Sequence, residues 1–252
     1  MTPEADGSRL DAIPTQWSVV RGAHAAGAPA SAVAARQALV LRYAKAIRRY
    51  VGGVVRSGED ADELAQEVVV RLLKGDFGGA DPDRGRFRDL LKAAVRNLTR
   101  NHWAKEHRRR GSDAGLDRLA APDAADDAWE AEWRRTVLDH AWAALKAHER
   151  AHPHPPTFTL LRLRVDSPAA TGEELAAALA ATAGTPVRAD ACRQLLRRAR
   201  LRFAEALVAE LRAGLADPSP ARVAEELAAL GLLEHVKDFL PHDWTAGGRL
   251  TD

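Results

Sequence analysis

Arg88, Lys92, Arg96 and Arg100 recur at every fourth position in the stretch from Phe87 to Arg110. Wound as a helix at about 100° per residue, they line one face, and Trp103 projects between Lys92 and Arg96. Guanidinium and ammonium groups neutralise phosphates, and an indole stacks on an unpaired base, so this face suits a nucleic-acid strand. The alternative is a solvated basic surface with the indole covered by a neighbouring loop. Phe87, Leu90, Leu91, Ala94 and Leu98 fall on the other side and form the expected core-facing stripe. His148, His152 and His154 stand among prolines. No carboxylate or thiolate is placed to complete a metal site with them, so they read as a proline-stiffened turn. Cys192 is the only cysteine, which excludes an internal disulfide and a cysteine-rich zinc site. A nucleophile–base pair and a phosphate-binding glycine loop are both lacking, so the chain reads as a non-enzyme without a cofactor.

The elements that must position these residues are helical. Ala, Leu and Arg dominate, and aromatics make up only 5% of the 252 residues. The formal net charge is +2, but the charges are segregated. Glu59, Asp60, Asp62, Glu63 and Glu67 form one acidic block, and Asp123, Asp126, Asp127, Glu130 and Glu132 a second. Basic residues collect over Arg84–Arg110 and Arg188–Arg202, giving two separate positive surfaces. Without a signal peptide or a membrane-length apolar run, the expected compartment is the cytoplasm, with no membrane insertion.

In chain order, Thr15 caps a short helix anchored by Trp17, and Ser31 opens a longer one through Tyr43, Ile47 and Tyr50 that the Gly52-Gly53 pair weakens. Ser57-Gly-Glu-Asp starts a third, whose buried arc is Ala61, Leu64, Ala65, Val68, Val69, Leu72 and Leu73. Its polar arc leaves Val70 exposed among acids and Gln66, the composition of a small protein–protein patch with a polar rim. Gly78 to Gly85, with Asp81-Pro82, is a turn into the basic helix. Residues 112–127 read as a flexible linker, followed by a helix from about Ala128 to His148. A helix near Gly172 to Ala183, a turn at Gly184-Thr-Pro-Val and a long helix from about Arg188 make a helix-turn-helix pattern. Cys192, Leu195, Leu196, Ala199, Phe203 and Leu207 face inward in the second helix, while Arg193, Arg197 and Arg200 share the outer face. Ser219 and Pro220 cap a terminal helix carrying Val223, Leu227 and Leu230.

Taken together, Glu59-Asp-Ala-Asp-Glu-Leu-Ala-Gln-Glu-Val-Val-Val-Arg-Leu-Leu, Gly85-Arg-Phe-Arg-Asp-Leu-Leu and Arg96-Asn-Leu-Thr-Arg-Asn-His-Trp resemble the second conserved region of bacterial RNA polymerase sigma factors. Thr15-Gln-Trp-Ser, Asp83-Arg-Gly-Arg-Phe-Arg and Asn101-His-Trp are similar to the extracytoplasmic-function (ECF) subfamily of planctomycete type. Cys192-Arg-Gln-Leu-Leu-Arg-Arg-Ala-Arg is similar to that family's fourth region. The segment from Ala180 to Val187 is longer than the family's usual tight turn.

The resemblance implies an all-α protein of two small helical domains. A region 2-like domain over 13–111 and a region 4-like helix-turn-helix domain over 128–212 are joined by the linker, and 213–252 form a C-terminal helical extension. It further implies that Asp62, Gln66, Glu67 and Val70 meet core RNA polymerase. Lys92, Arg96, Asn97, Arg100, Asn101 and Trp103 would hold the minus-ten element, and Arg188, Arg193, Gln194, Arg197 and Arg198 would read the minus-thirty-five element. The expected partners are core RNA polymerase and promoter DNA, with an anti-sigma or other regulatory protein as a further candidate. The competing reading is a helix-turn-helix regulator that acts without polymerase docking, which leaves the Val70 patch and the Trp103 face unused.

Overall fold

The computed structural model describes residues 29–55, 57–74, 86–110, 122–184, 187–215 and 217–240. Among these the chain is helical and contains no strand. It divides into two compact units, one reaching to Thr136 and including Arg212–Pro218, the other made of Val137–Leu211 and the chain from Ser219 on. The expected helix at Thr15 with Trp17, the turn over 78–85 and residues 112–121 of the expected linker lie outside the described residues.

In the first unit, helix α1 (Pro29–Val54) carries through Gly52-Gly53 and packs on α2 (Gly58–Lys74). Tyr43, Ala46, Ile47, Tyr50, Val51 and Val54 of α1 repeat at intervals of three and four and are buried. Ala61, Leu64, Ala65 and Val68 do the same on α2. The α2 start is as read from the sequence: the Ser57 hydroxyl accepts the Asp60 N–H at 3.4 Å, and Ser57 O accepts the Ala61 N–H at 2.9 Å. Glu59 and Asp60 in its first turn and Arg71 and Lys74 in its last complement the helix dipole.

Helix α3 (Phe87–Arg110) buries Leu91, Val95 and Leu98, together with Thr99 and Arg88. This corrects the expected stripe. The buried arc is turned toward the basic side, so Leu90 and Ala94 are only half-buried while Arg88 goes inside. The physical reason is the next helix, α4 (Pro122–Ala151), which begins earlier than expected, so that 122–127 are helical. Pro122 opens it at a position where a missing N–H costs nothing. Trp129 and Trp133, one turn apart, complete the core: Trp129 meets Tyr50 edge-on at 4.9 Å and Trp133 stacks on Tyr43 at 5.3 Å. Each indole removes on the order of 200 Å² from water, about 5 kcal/mol as an upper figure.

In the second unit, the later half of α4 packs with α5 (Thr157–Asp166), α6 (Gly172–Ala183) and α7 (Ala189–Ala213). Leu145, Leu160, Leu161, Leu175, Leu179, Cys192, Leu196 and Ala199 form its core. Helix α5 was not expected from the sequence, and a residue outside it completes its start. Glu149 accepts the Thr159 N–H at 3.0 Å and the Thr159 hydroxyl at 2.6 Å, supplying the cap that Pro156 cannot. Helix α6 has a full capping box between Thr171 and Glu174 and ends on Gly184 at φ 65°, the left-handed geometry that glycine adopts freely. His140 on α4 meets Glu210 on α7 at 2.9 Å. Helices α8 (Pro220–Ala229) and α9 (Leu233–Val236) bury Val223, Leu227 and Val236, Leu230 at the end of α8 is buried with them, and Pro220 holds the first position of α8.

Candidate functional site

Three surfaces carry the residues singled out from the sequence. On α2, Asp62, Gln66 and Glu67 are exposed, and Glu67 pairs with Arg71 at 2.6 Å. Val70 is 36% exposed at their centre. Leu73, expected in the buried arc, is instead 40% exposed. Lying one turn beyond Val70, it enlarges the apolar centre of the patch, and the spacing of three residues is the signal that identifies it. Two neighbouring aliphatic side chains rimmed by Gln66, Glu67 and Lys74 match the composition of a protein interface rather than scattered surface apolar residues.

On α3, Arg96, Asn97, Arg100 and Asn101 are exposed and Lys92 is half-buried. The Arg100 guanidinium donates to the Asn97 amide oxygen, which holds both side chains over the same turn. The side chain of Trp103 lies outside the described residues. Arg88, read from the sequence as part of the basic face suited to a nucleic-acid strand, is instead 6% exposed and donates to Glu130 Oε2 at 2.7 Å. Further along the helix, Lys92 Nζ lies 3.3 Å from Asp126 Oδ1 and 3.7 Å from Glu130 Oε1, and Arg96 Nη1 lies 3.0 Å from the same Asp126 oxygen. On α1, Arg49 donates to Glu132. Asp126, Glu130 and Glu132 of the second acidic block are thus set against cations of α1 and α3. Its pairing was not foreseen, although Asp126 with Glu130 and Trp129 with Trp133 each repeat at four residues, which already gives that stretch an acidic and an aromatic side. Burial raises the Tyr50 hydroxyl above the usual tyrosine range, against a lowering influence from Arg96.

Arg188, just before α7, and Arg193, Gln194, Arg197 and Arg198 on it are all exposed, as is Arg200. Arg188 lies 3.4 Å from Asp190 just before and within the helix start. The inner face holds Cys192, Leu196 and Ala199, so the exposed side chains stand on a rigid, packed element. Thr185 and Pro186 of the expected turn lie outside the described residues. Cys192 is buried in the core of this unit, and burial pushes its thiol up, with Arg164 acting the other way. The His148 and His152 rings sit 4.7 Å apart. Burial, then Arg202 and His152, hold His148 below the usual imidazole range. Among the described residues no three His, Cys, Asp or Glu side chains are grouped as metal ligands.

No curated protein and no solved structure matches the chain significantly. Residues 39–109, from within α1 through α2 and nearly to the end of α3, match the family model for Sigma-70 region 2. That segment is therefore similar to Sigma-70 region 2, and the similarity supports a sigma-70 family factor, a class of non-catalytic transcription initiation proteins.

Proposed function

We propose that the chain is a sigma factor of the ECF type that docks on core RNA polymerase and directs promoter-specific initiation in the cytoplasm. The observation that carries this reading is the exposed Val70–Leu73 pair within the acidic face of α2, inside the segment that matches Sigma-70 region 2. An apolar pair ringed by Asp62, Gln66 and Glu67 suits a protein partner, and core polymerase is the partner that this domain implies. Helix α3 then presents Lys92, Arg96, Asn97, Arg100, Asn101 and Trp103 to the minus-ten element. Cations neutralise the displaced strand and an aromatic stacks on a base. The second unit acts as a region 4-like helix-turn-helix domain. Helix α7 enters the major groove of the minus-thirty-five element with Arg188, Arg193, Gln194, Arg197 and Arg198. A short capped helix followed by a long helix with an arginine-rich exposed face supports this assignment.

The test is co-purification of the full chain with core polymerase, followed by sequencing of transcripts initiated in vitro. A complex that starts transcription at a defined set of promoters is the expected result. Duplex DNA binding without retention on core polymerase would instead favour a regulator that acts alone.

A further inference from the structure

We propose that Asp126 is an intramolecular competitor for nucleic acid: it occupies Lys92 and Arg96, and phosphates must displace it before α3 binds a strand. This rests on the reading of α3 as a nucleic-acid face. Along α3 the cation side chains become steadily more exposed, from 6% at Arg88 to 18% at Lys92 and 44% at Arg96. Their acidic partners follow the same order, with Glu130 at 31% and Asp126 at 42%. The inner pair, Arg88–Glu130, is a structural contact. In the outer set one Asp126 oxygen serves both Lys92, which also lies 3.7 Å from Glu130, and Arg96; its Asp126–Arg96 contact is open to solvent on both sides and weak enough to exchange.

A carboxylate oxygen about 3 Å from a guanidinium makes the same charge-assisted contact as a phosphate oxygen. Asp126 therefore stands where a backbone phosphate would bind. It cannot diffuse away, because Trp129, 1% exposed and set against Tyr50, fixes α4 in the core beside it. A competitor tethered in this way acts at high effective concentration. Isolated phosphates then displace it poorly. A strand that also engages Arg100, which is bonded to Asn97, and the exposed Asn101 further along α3 displaces it well.

The test measures binding of the full chain to a fluorescent oligothymidylate of about a dozen nucleotides, with circular dichroism confirming the fold of every variant. Asp126→Asn should tighten binding by roughly threefold to tenfold at low salt and steepen the salt dependence. Asp127→Asn changes the net charge equally at an exposed neighbouring position and should have a clearly smaller effect. The gain from Asp126→Asn should vanish in a Lys92→Ala, Arg96→Ala background. No gain from Asp126→Asn, a gain equal to that of Asp127→Asn, or a gain that persists in that background would each overturn the proposal. If Lys92→Ala, Arg96→Ala by itself leaves binding unchanged, the α3 reading fails and the proposal with it. If that double variant weakens binding while Asp126→Asn does nothing, only the proposal fails.

Discussion

Two residues on neighbouring helices separate structural from functional roles. Val70 contributes little to its own fold, since the buried arc of α2 is completed by Ala61, Leu64, Ala65 and Val68. Val70→Glu should therefore change stability by no more than about 0.5 kcal/mol. At the centre of an interface the same carboxylate would be desolvated without a partner, so binding to core polymerase should be lost. A thermal melt beside a pull-down checks both halves, and a folded Val70→Glu protein that still binds core polymerase would remove the α2 face from the docking model. Arg88 is the opposite case. Arg88→Ala leaves half-buried Glu130 without its close partner at 2.7 Å and should cost about 1–3 kcal/mol. Arg96→Ala, at an exposed pair, should cost less than about 0.5 kcal/mol. Urea midpoints distinguish the two, and equal losses would mean that the basic face is uniformly structural.

At the scale of single helices, α6 and α7 lend themselves to separate tests. The α6 start is closed by Glu174, whose carboxylate accepts the Thr171 N–H at 2.7 Å and the Thr171 hydroxyl at 3.0 Å. These bonds, the backbone one first, hold Glu174 below the usual glutamate range. Because the folded-state value is depressed, the stabilisation is complete above the unfolded-state value and disappears as pH falls through the folded one. Glu174→Gln should flatten that acid limb of the stability profile and leave the neutral side sloped as before. Melts across the acid range read this directly, and an unchanged limb would refute the capping role. For α7, replacing Arg193, Arg197 and Arg198 together by Ala should leave the fold intact, since all three are exposed. It should erase protection of upstream promoter DNA in footprints. Where one arginine reads a guanine edge, its loss costs about 1–3 kcal/mol at that base pair alone, whereas a phosphate contact weakens all sequences alike.

For the molecule as a whole, the first unit depends on residues beyond the segment that matches Sigma-70 region 2. The matched segment ends at 109, yet Trp129 and Trp133 lie in the core formed by Tyr43 and Tyr50. Trp129→Ala should destabilise this unit by about 3–5 kcal/mol. A fragment ending at 136 should melt cooperatively, and one ending at 121 should melt lower and expose the tyrosines to solvent. Calorimetry on the two fragments decides the matter, since equal midpoints would make the first half of α4 an accessory.

Local patterns in the sequence were sufficient for most helices, because periodicity and end chemistry act over a few residues. The spacing of Ala61, Leu64, Ala65 and Val68, the cap at Ser57, the stop at Gly184 and the restart at Ser219-Pro220 all stand in the structure as the sequence implies. The exposed Val70 and the exposed arginines of α7 were legible in the same way. Helix α5 was not, because its start is completed by Glu149 from another helix. The orientation of α3 was decided by tertiary structure alone. Its sequence offers an apolar arc and a basic arc, and Val95 between them joins whichever side a neighbour covers. That neighbour is α4, whose Glu130 lies 42 residues from Arg88 and whose Asp126 lies 30 from Arg96. A cation enters a core only where a carboxylate is brought to meet it, and no local pattern specifies a partner that distant in the chain.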